Sequence, residues 1–210
     1  MKWILNFLFP KRCEGCGQMG SWCCPACLAN IKCKRPDLHL NLPEIYLDGL
    51  FVATRYQHDS LLARLIARMK YKHGKELGFL LGKWLSQQIN RPFDDFSLVP
   101  VPLHRERLLE RGFNQSELLA NHVAIAWNVP IQMLLRRHRP TTPQAQLTRN
   151  DRLKNTLFSF SLSESHPLMN NKFILIDDVC STGSTLNECA RVLKSHGAQQ
   201  VYGLALARGP

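Results

Sequence analysis

Two stretches of the 210-residue chain carry side chains whose types and spacing could do chemistry. In ILIDDVCSTGST, residues 174–185, an aliphatic run meets two adjacent carboxylates, Asp177 and Asp178, and then Ser181, Thr182, Gly183, Ser184 and Thr185. Neither a G-x-x-x-x-G-K-S/T run nor a G-x-G-x-x-G run falls in this stretch. The backbone amides of a loop that opens into a helix, with the helix dipole behind them, can hold one phosphate, and a glycine lets the chain approach it closely. Two carboxylates would repel a bare polyphosphate. They suit vicinal hydroxyls, as acceptors, or a Mg2+ ion attached to those hydroxyls. The two halves together describe a grip for a ribose bearing a 5-phosphate; the plainer alternative is a helix N-cap with fortuitous hydroxyls.

The second stretch is at the other end. Six of the eight cysteines lie between Cys13 and Cys33, and Cys13 and Cys16 form one C-x2-C pair while Cys24 and Cys27 form another. Two thiolates three positions apart can grip one tetrahedral ion, and the second pair completes its shell, which points to a structural Zn2+. Cys23 could replace Cys24, and an iron-sulfur cluster or a disulfide pair are the alternatives. So short a segment cannot bury a core of its own, so the ion would supply its folding energy. Lys11, Arg12, Lys32, Lys34 and Arg35 surround it. They would suit a phosphate backbone, or would offset the charge of four thiolates.

The elements that must position these groups follow from periodicity. KFILIDDV reads as a strand buried on both faces of a parallel sheet, followed by a helix over about 184–195 closed by Gly197 and by a last strand, QVYGLALA. Strand, helix, strand in that order is the right-handed crossover of a doubly wound sheet. Upstream, GLFVATRY and FSLVPVP read as strands. DSLLARLIARMKY, capped by Asp59 or Ser60, KELGFLLGKWLSQQI and GFNQSELLANHVAIAW read as helices. The expected organisation is a cysteine module over 1–36, a connecting segment over 37–49 and an α/β domain over 50–210.

Composition adds a bias toward anions. Lys and Arg outnumber Asp and Glu by 27 to 16, a net charge of +11, which suits nucleic acid or another anionic partner. The apolar start MKWILNFLFP is too short to span a bilayer and reads as a strap packed on the body, so no integral membrane span and a cytoplasmic location are expected.

ILIDDVCSTGST resembles the 5-phosphoribosyl 1-pyrophosphate (PRPP) motif of type I phosphoribosyltransferases. The resemblance implies ribose hydroxyls on Asp177 and Asp178 and the 5-phosphate on residues 181–185. VPVPLHRERLLERGFNQSELLA and RRHRPTTPQAQLTRNDRLKNTLFSF, with the cysteine knuckles, closely resemble the ComF/GntX family, with R-G-F-N-Q of Arg111 to Gln115 the most specific piece. This implies a type I phosphoribosyltransferase-like parallel sheet flanked by helices, with a small N-terminal four-cysteine zinc module. It also implies a role in natural transformation or DNA uptake and utilization, with single-stranded DNA as a partner and a DNA-translocating ATPase by family analogy alone. The alternative is an active phosphoribosyltransferase of nucleotide salvage with an unidentified acceptor. By the same resemblance residues 101–104 occupy the pyrophosphate-loop position, Mg2+ accompanies PRPP, and residues 136–152 form a lid. Arg105, Arg107, Arg111 and Lys72 are the candidates for holding pyrophosphate or another anion. Lys70 could reach the diphosphate or complement a helix end, Phe113 reads as core, and Trp22 and Trp127 could stack bases or be buried.

Overall fold

The computed structural model describes residues 10–33, 37–39, 46–71, 74–138, 159–163 and 168–209. The expected strap at the start of the chain, Lys34, Arg35, Lys72 and most of the expected lid lie outside the described residues. The strands are β1 (Asp37–His39), β2 (Gly49–Arg55), β3 (Ser97–Pro100), β4 (Leu135–Arg137), β5 (Phe160–Leu162), β6 (Lys172–Cys180) and β7 (Gln200–Arg208). The helices are α1 (Pro25–Ala29), α2 (Leu61–Met69), α3 (Gly74–Gln88), α4 (Arg105–Arg111), α5 (Gln115–Trp127) and α6 (Ser184–Ser195).

The main sheet has the order β1-β2-β7-β6-β3, with β2, β7, β6 and β3 parallel and β1 antiparallel on the edge. The central strand explains itself. Phe173 and Leu175 pack into the cluster shared with α6, whereas Ile174 and Ile176 pack into the cluster shared with α2, α3 and α5, and all four are fully buried. Burial of each such side chain contributes about 1.5–3 kcal/mol. A slip toward the core would drag Asp177 and Asp178 after them, so the carboxylates are pinned at the sheet's carboxyl edge. That edge is where open parallel sheets place ligands.

Helices cover both faces. In α2, Ser60 rather than Asp59 is the cap, its hydroxyl accepting the amide of Ala63 at 3.1 Å, and Leu62, Leu65, Ile66 and Met69 are buried. Helices α3 and α5 pack against each other along a stripe in which Gly78 faces Leu118 and Gly82 faces His122. The periodicity predicts one helix through GFNQSELLANHVAIAW, but α5 starts only at Gln115. Gly112, at φ 76° in the left-handed region, ends the separate α4, and Asn114 caps α5 by accepting the amide of Ser116. Phe113 is half-buried against Gly74, and Trp127 is buried. No helix among the described residues is long and apolar enough to cross a membrane.

Candidate functional site

At the carboxyl ends of β3 and β6 a cleft of about 520 Å3 opens, walled by Asp177, Asp178 and the loop 181–185 on one side and by residues 101–103 on the other. Strand β6 delivers the acids and α6 delivers the loop. Gly183 precedes α6 at φ 83°, a conformation that costs about 1–2 kcal/mol for a residue with a Cβ, and its carbonyl accepts the amide of Asn187 at 2.8 Å. Thr182 Oγ1 and Ser184 Oγ lie 3.0 Å apart, and Thr182 Oγ1 also accepts the amide of Ser184. The hydroxyls thus hold the loop open as a cradle at a helix start, where backbone amides favour an anion.

The two acids sit in different surroundings. Asp177 Oδ1 accepts both Ser116 Oγ, at 3.0 Å, and the amide of Asp178, at 2.8 Å. Burial, reinforced by the neighbouring Asp178 carboxylate, pushes the Asp177 carboxyl up to about 7 despite those two donors. Asp178 Oδ1 accepts the amide of Val179 at 2.9 Å, and its Oδ2 forms an ion pair with Lys70 Nζ at 3.0 Å. The Asp178 carboxylate holds the Lys70 ammonium above its ordinary range against the opposing effect of burial.

The R-G-F-N-Q-S segment is wired to this edge. Arg111 Nη1 donates to Gln115 Oε1, Asn114 Nδ2 donates to the carbonyl of Val101 at 3.0 Å, and Ser116 reaches Asp177. One short elbow therefore fixes the loop after β3, the start of α5 and the first acid together. Of the anion candidates, Arg107 lines the cleft. Arg105 is exposed and outside the cleft lining, and Arg111 is spent on the elbow, its guanidinium held below the ordinary range by burial. Two further cations line the cleft. Lys70, which the sequence offered either as reaching the diphosphate or as complementing a helix end, is one; the other, which sequence reasoning did not single out, is Arg137 on β4, whose guanidinium stands 5.2 Å over the Phe160 ring. The position of Lys70 just past a helix end was a usable signal, but nothing in the sequence pattern pointed Arg137 inward.

A family model described as Phosphoribosyl transferase domain matches residues 113–210. Competence protein F of Haemophilus influenzae is 36% identical over 115 residues, 53% of this chain and 50% of that one. DNA utilization protein YhgH of Salmonella typhi is 32% identical over 158 residues, 70% of this chain and 67% of that one. Competence protein ComFC of Bacillus subtilis is 31% identical over 156 residues, 73% of this chain and 62% of that one. The chain belongs to the ComF family. Its match thus spans half the length of the Haemophilus relative and about two thirds of the Salmonella one.

Ahead of the matched domain, this ComF chain carries the cysteine cluster. The Sγ atoms of Cys13, Cys16, Cys24 and Cys27 all lie within 4.8 Å of one another, an arrangement that could hold a metal ion. Cys23 is not in the cluster; it is buried and packs with the core beside α2 and α3. The amides of Gly15 and Cys24 point at Cys13 Sγ at 3.4 and 3.3 Å. Burial alone would raise the Cys13 thiol, yet backbone donors from Cys24, Cys16 and Gly15 outweigh it and bring the group down to about 6. Gly15 matters for closeness rather than for its turn, since a Cβ there would stand 2.6 Å from Cys27 Sγ; Gly17 supplies the left-handed turn at φ 76°.

The cluster is clamped to the body. Glu14 pairs with Arg68 at 2.6 Å and its carbonyl accepts Arg64 Nη2; Lys11 and Trp22 Nε1 both meet Glu76. The Arg68 guanidinium lies 4.5 Å over the Trp22 ring, so Trp22 is engaged within the chain. These contacts place the module on α2 and α3, and α2 is the helix that ends at Lys70.

Proposed function

We propose that this ComF chain serves the uptake or use of DNA through a cleft that binds PRPP or a related phosphoribosyl compound. The observation that carries the reading is the juxtaposition at one sheet edge of the Asp177–Asp178 pair and the amide cradle of residues 181–185, with Arg107 and Arg137 across the cleft. The cradle takes the 5-phosphate, the acids face the ribose hydroxyls, and the two guanidiniums face the diphosphate. Mg2+ enters with the diphosphate oxygens, which it prefers. The cysteine cluster holds a structural Zn2+, consistent with an all-thiolate tetrahedral donor set.

Single-stranded DNA is the second partner in this reading. The net charge of +11 supports it, as do the names of the relatives, Competence protein F and DNA utilization protein YhgH. Calorimetry with PRPP and Mg2+ tests the cleft. Binding lost on changing Asp177 and Asp178 to Asn is the expected result, and no heat of binding to the unaltered chain would refute the assignment. Pyrophosphate release in the presence of a panel of bases then decides between a transferase and a ligand-binding site without turnover. For DNA, affinity for an oligonucleotide should fall steeply from about 50 to 200 mM salt; a flat salt response counts against a phosphate-backbone contact.

A further inference from the structure

The acid pair is asymmetric in a way that bears on metal dependence. Asp178 is only 6% exposed, and both of its oxygens are engaged, Oδ1 by the amide of Val179 and Oδ2 by Lys70. Asp177 is engaged through Oδ1. Lys70, with its side chain 38% exposed, is the C-cap of α2, directly after the fully buried Met69, and it lines the cleft with its ammonium on Asp178. We propose that Lys70 is the resident cation of the ribose-phosphate site, so that the ribose 5-phosphate end of the ligand is held without a divalent ion, Asp178 serving as the anchor of Lys70 and Asp177 as the acceptor for ribose hydroxyl.

The proposal rests on the ribose-phosphate reading of the cleft. Two adjacent ionised carboxylates would repel an anionic ligand, and a cation must offset them. Mg2+ can do so through its retained water shell, or directly at the cost of some tightly held water and with near-octahedral oxygens to receive it. An ammonium already 3.0 Å from Asp178 meets the same need without dehydrating an ion. It also keeps donors to spare, because an ammonium has three N–H groups and no acceptor. Asp177 has the complementary character, an oxygen acceptor beside a hydroxyl donor, Ser116, that fixes its orientation.

Titration of the full chain with ribose 5-phosphate, in EDTA and then in Mg2+, tests this. The dissociation constant of the unaltered chain should agree within about two-fold between the two conditions, and Lys70→Met should weaken binding in EDTA by about ten-fold or more, with partial recovery on adding Mg2+. Lys70→Arg should bind closer to the unaltered chain than Lys70→Met does. Thermal melts of each variant establish that it is folded, and Lys70→Gln stands in if the Met variant is not. Strict dependence of the unaltered chain on Mg2+ for ribose 5-phosphate, or undiminished binding by folded Lys70→Met or Lys70→Gln in EDTA, overturns the proposal while leaving the ribose-phosphate site intact. No binding in either condition overturns the ribose-phosphate reading and this one with it.

Discussion

Asp177 is the residue at which stability and binding pull apart. Its carboxyl sits at about 7 in the folded chain because burial and the Asp178 charge oppose ionisation, whereas an unfolded chain ionises an aspartate near 3.9. A raised acid binds its proton more tightly when folded. The fold is therefore favoured at low pH and loses that contribution as pH rises from about 4 to about 7, after which the full cost of an ionised Asp177 is present. Asp177→Asn removes a charge that the fold resists. It is expected to raise the melting temperature at pH 8 more than at pH 5 while abolishing ribose-phosphate binding. Equal shifts at the two pH values would show that Asp177 is not strained in its ionised form. The acids and the hydroxyl loop were legible in the sequence because a strand buried on both faces can end in adjacent carboxylates only where solvent or a ligand receives them. The pairing of Asp178 with Lys70 was not, since 108 positions separate the two and only the shared apolar cluster that gathers α2 and β6 closes that gap.

At the scale of elements, α3 and α5 show how small residues set a distance. A Cβ at Gly78 would stand 2.6 Å from Leu118 Cβ and one at Gly82 would stand 2.7 Å from His122 Cβ, atoms fixed directly to the backbone of α5. Helix propensity by itself predicts that Gly→Ala within α3 stabilises by about 1 kcal/mol. The close approach reverses the sign, because overpacking a tight contact costs about 1–3 kcal/mol. Gly78→Ala is thus expected to lower the melting temperature by several degrees; an unchanged or higher value would mean that α5 can move away freely. Since α5 carries Ser116 at its start, the same displacement should also loosen the hold on Asp177. The amphipathic spacing announced α2, α3 and most of α5. It missed α4 and began the next helix at Gly112 rather than at Gln115, because the left-handed Gly112 that ends α4 and the Asn114 side chain that caps α5 are terminus devices that apolar periodicity does not encode.

For the whole molecule, the cysteine module and the body have separate sources of stability. The body has extensive apolar clusters on both faces of its sheet. The module joins it through the polar contacts of Lys11, Glu14 and Trp22 and through Cys23, Leu28 and Ile31, which pack on the body's core; so short a segment still depends for its own internal order on whatever the four thiolates bind. Zinc removal by a strong chelator is expected to erase hydrogen-exchange protection over residues 13–28 and to leave β6 and β7 protected. Loss of protection throughout would show instead that the body cannot stand without its module. Elemental analysis should find about one zinc per chain, as four thiolates make one tetrahedral site.

The linear sequence by itself determined the local devices: two C-x2-C knuckles, the acid-to-hydroxyl strand end, and a two-face apolar strand that demands a parallel sheet with helices on both sides. All of these are encoded by residues within about a dozen positions of one another, where spacing translates directly into geometry. Tertiary structure alone decided which charges meet. It excluded Cys23 from the cluster, took Arg111 for the elbow, left Arg105 outside, and brought Lys70 and Arg137 into the cleft from a helix end and a two-stranded ribbon. The reason is physical: a long cationic side chain goes to whichever carboxylate or open edge the packed core leaves within its reach, and that is set by contacts among residues far apart in the chain.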